Sequence, residues 1–212
     1  MKKTILHLCA DIGSDSYPYQ HDPDYDVILI GKEIGVENYS PDRPIHGVIA
    51  NPVCTEFSFA REGFKFGTKE RQTRDVESGL FLVKECQRII SEASPEWWVI
   101  ENPATGLLKE HLGAPELSYE PWMFGSPWTK RTALWGKFNK PFPAYTKWGQ
   151  VPKNDKLYIR PGRPKPSLAF LHKSAIHNIP EFAPFIDRVD SDNAFRSLCS
   201  QGFAREFKKM NP

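Results

Sequence analysis

The sequence predicts an α/β protein built on a doubly wound, mostly parallel sheet. Three observations carry this. Several short runs are apolar throughout and bounded by turn residues, as strands buried on both faces require. A long amphipathic stretch lies between two of these runs, giving strand–helix–strand order. The chain has 212 residues, 40% hydrophobic and 25% charged, an ordinary globular balance with room for one sizeable core.

Lys3 to Leu8 is the first strand, ending at Cys9-Ala10-Asp11-Ile12-Gly13. Val27 to Ile30 is the second, between Asp26 and Gly31. Gly47 to Ala50 is the third, stopped by Asn51-Pro52. From Asp75 to Ala93, Val76, Leu80, Val83, Ile89 and Ile90 recur mostly at threes and fours. That spacing marks a helix, with Asp75 or Thr73 as its cap. Pro95 closes it, and Trp97 to Ile100 is the next strand. From Pro141 to Pro184 proline is frequent and periodicity poor, which reads as an irregular insert. Gln201 to Phe207 is a short closing helix with Phe203 and Phe207 one turn apart. The expected layout is a core over 1–140, the insert over 141–185, and a C-terminal segment over 186–212 that completes the core.

Lys plus Arg number 28 against 26 Asp plus Glu, a net +2 that neither announces nor excludes a nucleic-acid partner. Cysteines stand at 9, 54, 86 and 199, with no Cys-x-x-Cys and no zinc-type spacing, so no metal is expected. No apolar run approaches the ~20 residues that span a bilayer. The apolar stretch after Met1-Lys2-Lys3 meets Asp11 too soon for a signal peptide. The expectation is a cytoplasmic protein with reduced thiols and no membrane partner.

In open parallel sheets, ligands bind beyond the carboxyl ends of the strands. Asn51-Pro52-Val53-Cys54-Thr55-Glu56-Phe57-Ser58 sets a thiol at such an end. A lone cysteine is more often a small buried apolar residue than a nucleophile. Glu101-Asn102-Pro103 follows the Trp97–Ile100 strand. If the two strands are parallel neighbours, Cys54 and Glu101 emerge on one rim. A thiolate and a carboxyl group facing one cleft suit addition to a pyrimidine, the sulfur attacking C6 and the acid meeting N3. Taken singly, Glu101 reads as a capping or solvated carboxylate. Lys130-Arg131-Thr132 puts two cations before another strand, either to hold an anion or as a solvated turn.

Together these residues resemble the cytosine-C5 DNA methyltransferases, in particular the compact forms of phages and prophages. Val53-Cys54 stands where that family has Pro-Cys, and Glu101-Asn102-Pro103 where it has Glu-Asn-Val or Glu-Asn-Pro. Lys130-Arg131-Thr132 falls near its arginine-bearing strand. Asn193 to Asn211, with Ser200-Gln201-Gly202-Phe203-Ala204, resembles the segment that completes the cofactor pocket. The resemblance implies a Rossmann-like methyltransferase fold and S-adenosylmethionine as cofactor. It also implies DNA, duplex or single-stranded, with a cytosine target. Cys54 would be the nucleophile, with Glu101, Asn102 and Arg131 completing the catalytic group. Asp11, Gly13, Glu33, Asn51 and Pro52 would line the cofactor site, and Ser58, Lys130, Arg160 and Arg163 would contact nucleic acid.

The chain departs from the family pattern in three places. The first loop, Cys9 to Asp15, keeps only Gly13 of a normally glycine-rich run, and Asp11 would have to meet the methionine ammonium. Val53 replaces the proline that stiffens the nucleophile loop. The target-recognition region is reduced to Lys137–Phe185, where Lys147-Trp148, Lys153, Arg160, Arg163 and Lys173 either contact DNA or are solvated cations on a packed loop. These departures leave open a nucleic-acid binder that has lost its cofactor, or a modifier of free cytosine nucleotides. A thiol hydrolase pairing Cys54 with His46 or His111 lacks any triad pattern.

Overall fold

The fold was obtained as a computed structural model. It describes residues 2–10, 12–57 and 74–212, with the backbone alone at 63–64 and 71–72. The chain divides into two compact units. The first comprises Met1–Asp11, Pro23–Ser118 and Thr132–Phe138; the second comprises Ile12–Asp22, Tyr119–Arg131 and Asn139–Pro212.

In chain order the elements are β1 (Lys3–Leu8), α1 (Tyr17–Gln20), β2 (Tyr25–Ile30), β3 (Gly47–Ala50), and the two-residue strands β4 (Gly63–Phe64) and β5 (Arg71–Gln72). There follow α2 (Val76–Ala93), β6 (Trp97–Pro103), α3 (Leu108–Leu112), β7 (Leu117–Tyr119), β8 (Thr132–Lys137), α4 (Asp192–Ser197) and α5 (Gln201–Met210). β4 and β5 pair antiparallel with each other. The main sheet has six strands in the order β2-β1-β3-β6-β8-β7. β2, β1, β3 and β6 run parallel, and β8 is antiparallel to β6. The expected α/β fold with a mostly parallel sheet is therefore what the chain adopts.

The in-register pairs Leu8↔Ile30, Leu8↔Ala50 and Ala50↔Ile100 bring the carboxyl ends of β2, β1 and β3 level with Ile100 of β6. β3 lies in the middle, and each of its four residues is buried. Glycine at its first position has a steric reason. A Cβ on Gly47 would stand 2.2 Å from the Trp97 ring of the neighbouring strand.

α2 begins where Asp75 Oδ1 accepts from the Ser78 backbone N–H at 3.0 Å, satisfying one donor that the first turn leaves open. The other candidate cap, Thr73, lies outside the described residues. The face of α2 with Val83, Cys86, Ile89 and Ile90 packs under the sheet with Leu6, Leu8, Val48 and Ile100. Full burial of such side chains stabilises by about 1.5–3 kcal/mol each. β6 runs three residues past the expected Trp97–Ile100 strand. Glu101, Asn102 and Pro103 pair with Leu134, Ala133 and Thr132 of β8, so the antiparallel neighbour continues the ladder beyond the end of β3.

The second unit has its own core of Ile12, Trp128, Leu157, Leu168, Leu171, Ile176, Ile179, Phe182, Phe185, Phe195 and Leu198. Much of it comes from the proline-rich stretch. There 3-10 turns at Leu168–Phe170, Lys173–Asn178 and Pro180–Arg188 deliver apolar side chains inward without a 3.6-residue period. α5 adds Phe203, stacked on Tyr119 at 3.9 Å, and Phe207 at 5.8 Å from Phe203. Glu181 accepts from Trp128 Nε1 at 3.2 Å and from the Gln201 N–H at 2.8 Å. Asn211 is tied to the Asn139 backbone by 2.7 and 2.9 Å hydrogen bonds.

Glu120 accepts from the Lys130 N–H at 3.1 Å. Its burial pushes the carboxyl above the ordinary range, against the pull of that hydrogen bond and of Lys165 and Arg131.

Two predictions follow from this packing. Gly47→Ala forces the Trp97 ring aside and destabilises the fold by about 1–3 kcal/mol, read by urea denaturation with the m-value unchanged. Because the Glu120 value is raised on folding, the stability that its protonated form contributes is complete below the unfolded value. It is lost as pH rises through the folded value. The stability of wild type relative to Glu120→Gln therefore falls as pH rises from the ordinary carboxylate range through the raised folded value; a flat difference would contradict the burial.

Candidate functional site

The candidate site is built in the first unit from the ends of β1, β3 and β6. His7, in β1, pairs with Ile49 of β3, and Asn51 stands two residues beyond Ile49 on the same face. The Ala50↔Ile100 pair then sets Asn51 beside Glu101. Asn51 Nδ2 donates to Glu101 Oε2 at 3.2 Å. Asn51 Oδ1 and His7 Nε2 are 2.6 Å apart. One face of three adjacent strands thus carries a continuous polar row ending in a carboxylate.

Cys54 lies three residues beyond Asn51, half-buried, in a loop held from several sides. Asn102 Nδ2 donates to the Pro52 carbonyl at 3.0 Å. The Phe57 N–H closes a turn on the Cys54 carbonyl at 3.1 Å, and the Leu107 N–H reaches the Phe57 carbonyl at 2.9 Å. Glu56 Oε2 accepts from the Asp75 N–H at 2.7 Å, tying the loop to the start of α2. The Phe57 ring is fully buried. These anchors do the stiffening that a proline at position 53 would otherwise supply, and Val53 itself is exposed. Asn102 is 1% exposed, and its Oδ1 has no hydrogen-bond partner among the described residues.

The other residues singled out from the sequence fall as follows. Glu33 is exposed just beyond β2 in the first unit. Pro52 is buried, with its carbonyl engaged by Asn102. Gly13 belongs to the second unit and takes φ +75°, a left-handed conformation suited to glycine. Its carbonyl accepts from Gln20 Nε2 at 2.8 Å and Ser16 Oγ at 3.3 Å.

Arg131, Arg160 and Arg163 are exposed on the second unit, and the Arg160 guanidinium lies 4.6 Å from the Phe170 ring centre. Lys130 Nζ donates to the carbonyls of Ser197 and Leu198 at the end of α4, at 3.0 and 3.2 Å. Asp11 and Ser58 lie outside the described residues. Among the described residues, no group of three or more His, Cys, Asp or Glu is arranged to hold a metal, and no helix is long and apolar enough to cross a membrane.

Two residues of interest escaped the sequence reading. His7 sits inside an apolar strand run, where a lone histidine reads as core. Glu120 precedes a proline in a stretch without periodicity. Neither carried a spacing signal.

No family model matches the chain. A protein of Frog virus 3 (isolate Goorha) named "Probable DNA (cytosine-5)-methyltransferase" is 32% identical over 124 residues, covering 54% of this chain and 55% of that protein. Among solved structures, a "putative DNA modification methyltransferase" encoded within an E. coli prophage aligns with a TM-score of 0.45 at 15% identity, over 83% of this chain and 55% of that one. The chain spans about half the length of these two proteins. By sequence, the chain is thus a relative of a viral protein named for cytosine-5 DNA methylation, in keeping with the resemblance carried by its Cys54 and Glu101 motifs.

Proposed function

We propose that the chain transfers a methyl group from S-adenosylmethionine to C5 of cytosine in DNA, through a covalent adduct at Cys54. The observation that carries this reading is the alignment of β3 with β6. It puts Glu101 against Asn51, three residues before a half-buried thiol in an anchored loop.

The cofactor's chemistry fits the residues present. A ribose diol asks for a carboxylate, and Glu33 is exposed directly beyond β2. A close approach to backbone asks for turns with little side chain in the way. Cys9 turns the chain at φ +55° immediately after β1. Glu33, the backbone of Asn51 and Pro52, and Asp11 through its carboxylate, all within the first unit, would hold the cofactor. When bound, S-adenosylmethionine supplies a methyl group activated by a sulfonium.

The target cytosine leaves the base stack to reach the cleft, as base-modifying chemistry requires. Cys54 reacts as the thiolate, since the neutral thiol is a poor nucleophile. Its sulfur forms a bond to C6, and the C5–C6 π electrons move into the ring. Glu101 delivers a proton to N3, so the charge does not build on the base. C5 becomes electron-rich, an enamine carbon ready to take an electrophile. Once C5 carries the methyl group, solvent water takes the C5 proton, the C5–H electrons restore the C5–C6 double bond and expel the Cys54 sulfur as thiolate, and N3 returns its proton to Glu101. Asn102 holds the Cys54 loop through the Pro52 carbonyl. Lys130, Arg160, Arg163 and Ser58 would contact the DNA, where exposed cations such as Arg160 and Arg163 position the backbone without reading sequence. A cytoplasmic location goes with this reading.

The test is release of tritium from DNA carrying 5-tritiated cytosine, in the presence of S-adenosylmethionine. Wild type releases label in proportion to methyl transfer. Glu101→Gln lowers kcat by about 10²–10⁴, the usual weight of general acid–base help. Glu33→Ala weakens cofactor binding, read by calorimetry, with kcat at saturation little changed. No release by folded wild type, or full release by Cys54→Ala, would overturn the proposal.

A further inference from the structure

The polar row across the sheet has a feature that the reaction alone does not explain. His7 is 2% exposed in a strand whose adjoining residues, Leu6 and Leu8, are fully buried. A buried imidazole must find hydrogen-bond partners or destabilise the fold. Here it meets the side chain of Asn51, which also meets Glu101. We propose that His7 is a positioning residue: through Asn51 it directs the Glu101 proton to the target base. This rests on the reading of Glu101 as the group that protonates N3.

The argument is one of donors and acceptors. An asparagine amide has a donating end and an accepting end of nearly equal size, and either can face a carboxyl group. Facing Glu101 with Nδ2, Asn51 donates, and the carboxyl group must send any proton it carries elsewhere. Facing Glu101 with Oδ1, Asn51 would accept that proton's hydrogen bond and hold it away from the base. The second arrangement would also repel the ionised carboxylate. The Nε2–H tautomer of His7 removes the choice. With Nε2 protonated it donates to Oδ1 at 2.6 Å, which leaves Nδ2 for Glu101 at 3.2 Å. Both bonds then run in one direction, from β1 through β3 to β6. No proton travels along the row, because an amide between two groups is a spacer and not a relay. The effect is on the orientation of one carboxyl group. Such geometry acts on the chemical step more than on binding.

The choice of strand position supports this. His7 and Asn51 point to the same side of the sheet because residues two apart share a face. A residue at 6 or 8 would point away, so position 7 is the place in β1 from which Asn51 is met.

The experiment compares wild type, His7→Leu and His7→Gln as full chains that pass a thermal-unfolding check. Methyl transfer and side-chain NMR are both recorded. His7→Leu should lower kcat by about 10- to 100-fold, with KM for DNA and for S-adenosylmethionine changed less than about 3-fold. His7→Gln, which keeps an N–H donor, should recover kcat to within about 3-fold of wild type. The wild-type ¹⁵N spectrum should show His7 protonated at Nε2, and the Asn51 side-chain amide signal should move in His7→Leu. Unchanged kcat in His7→Leu, or equal losses in both variants, would overturn the inference. Wild type that transfers no methyl group would overturn the proposed function instead. The NMR readings then decide the His7 arrangement: an Nδ1–H tautomer, or an Asn51 signal that does not move, would refute it.

Discussion

The structure depends on the register between β3 and β6. These are parallel neighbours, β3 leading into the Cys54 loop while β6 continues past it carrying Glu101. Side chains alternate along a strand, so a one-residue slip would send Glu101 to the opposite face from Asn51. What prevents the slip is burial. Each residue of β3 is buried, Trp97 packs where only glycine leaves room at position 47, and β8 extends the β6 ladder through Pro103. The packing that stabilises the sheet is thus also what sets Glu101 beside Asn51 at the start of the Cys54 loop.

Alignment alone would leave the thiol on a loose loop. The segment from Pro52 to Phe57 is held by side-chain and backbone bonds from Asn102, Leu107 and Asp75, and by the buried Phe57 ring. Each hydrogen bond contributes about 0.5–1.5 kcal/mol. Their number matters more here than any single strength, since together they leave the loop few alternative conformations. The unmet Oδ1 of Asn102 sits at the same end of β6, a buried acceptor beside the loop it anchors. The second unit is held together by another route. It has little regular structure, and a core of large aromatic and aliphatic side chains replaces it.

Much of the first unit was legible because its elements obey simple periods. β1 and β3 were read to the residue, and α2 announced itself through apolar spacing and an aspartate cap. The Cys54 and Glu101 motifs were legible for the same reason: each directly follows or closes an apolar run. The extension of β6 through Glu101 was not, because it is caused by β8, whose pairing no local pattern reveals. The core drawn from Pro141–Pro184 was hidden because 3-10 turns bury side chains without a helical or strand period. His7 was hidden by its neighbours. Inside Ile5-Leu6-His7-Leu8 an imidazole looks like one more core residue until the facing strand supplies Asn51.

The central claim is that the sulfur of Cys54 joins a cytosine ring in the cleft shared with Glu101. Replacing the target cytosine with 5-fluorocytosine blocks the loss of the C5 substituent, so the adduct persists. Proteolysis of that complex followed by mass spectrometry reads which peptide carries the base. The account predicts one modified peptide, containing Cys54. An adduct on Cys9, Cys86 or Cys199, or no adduct from a chain that methylates ordinary DNA, would contradict it.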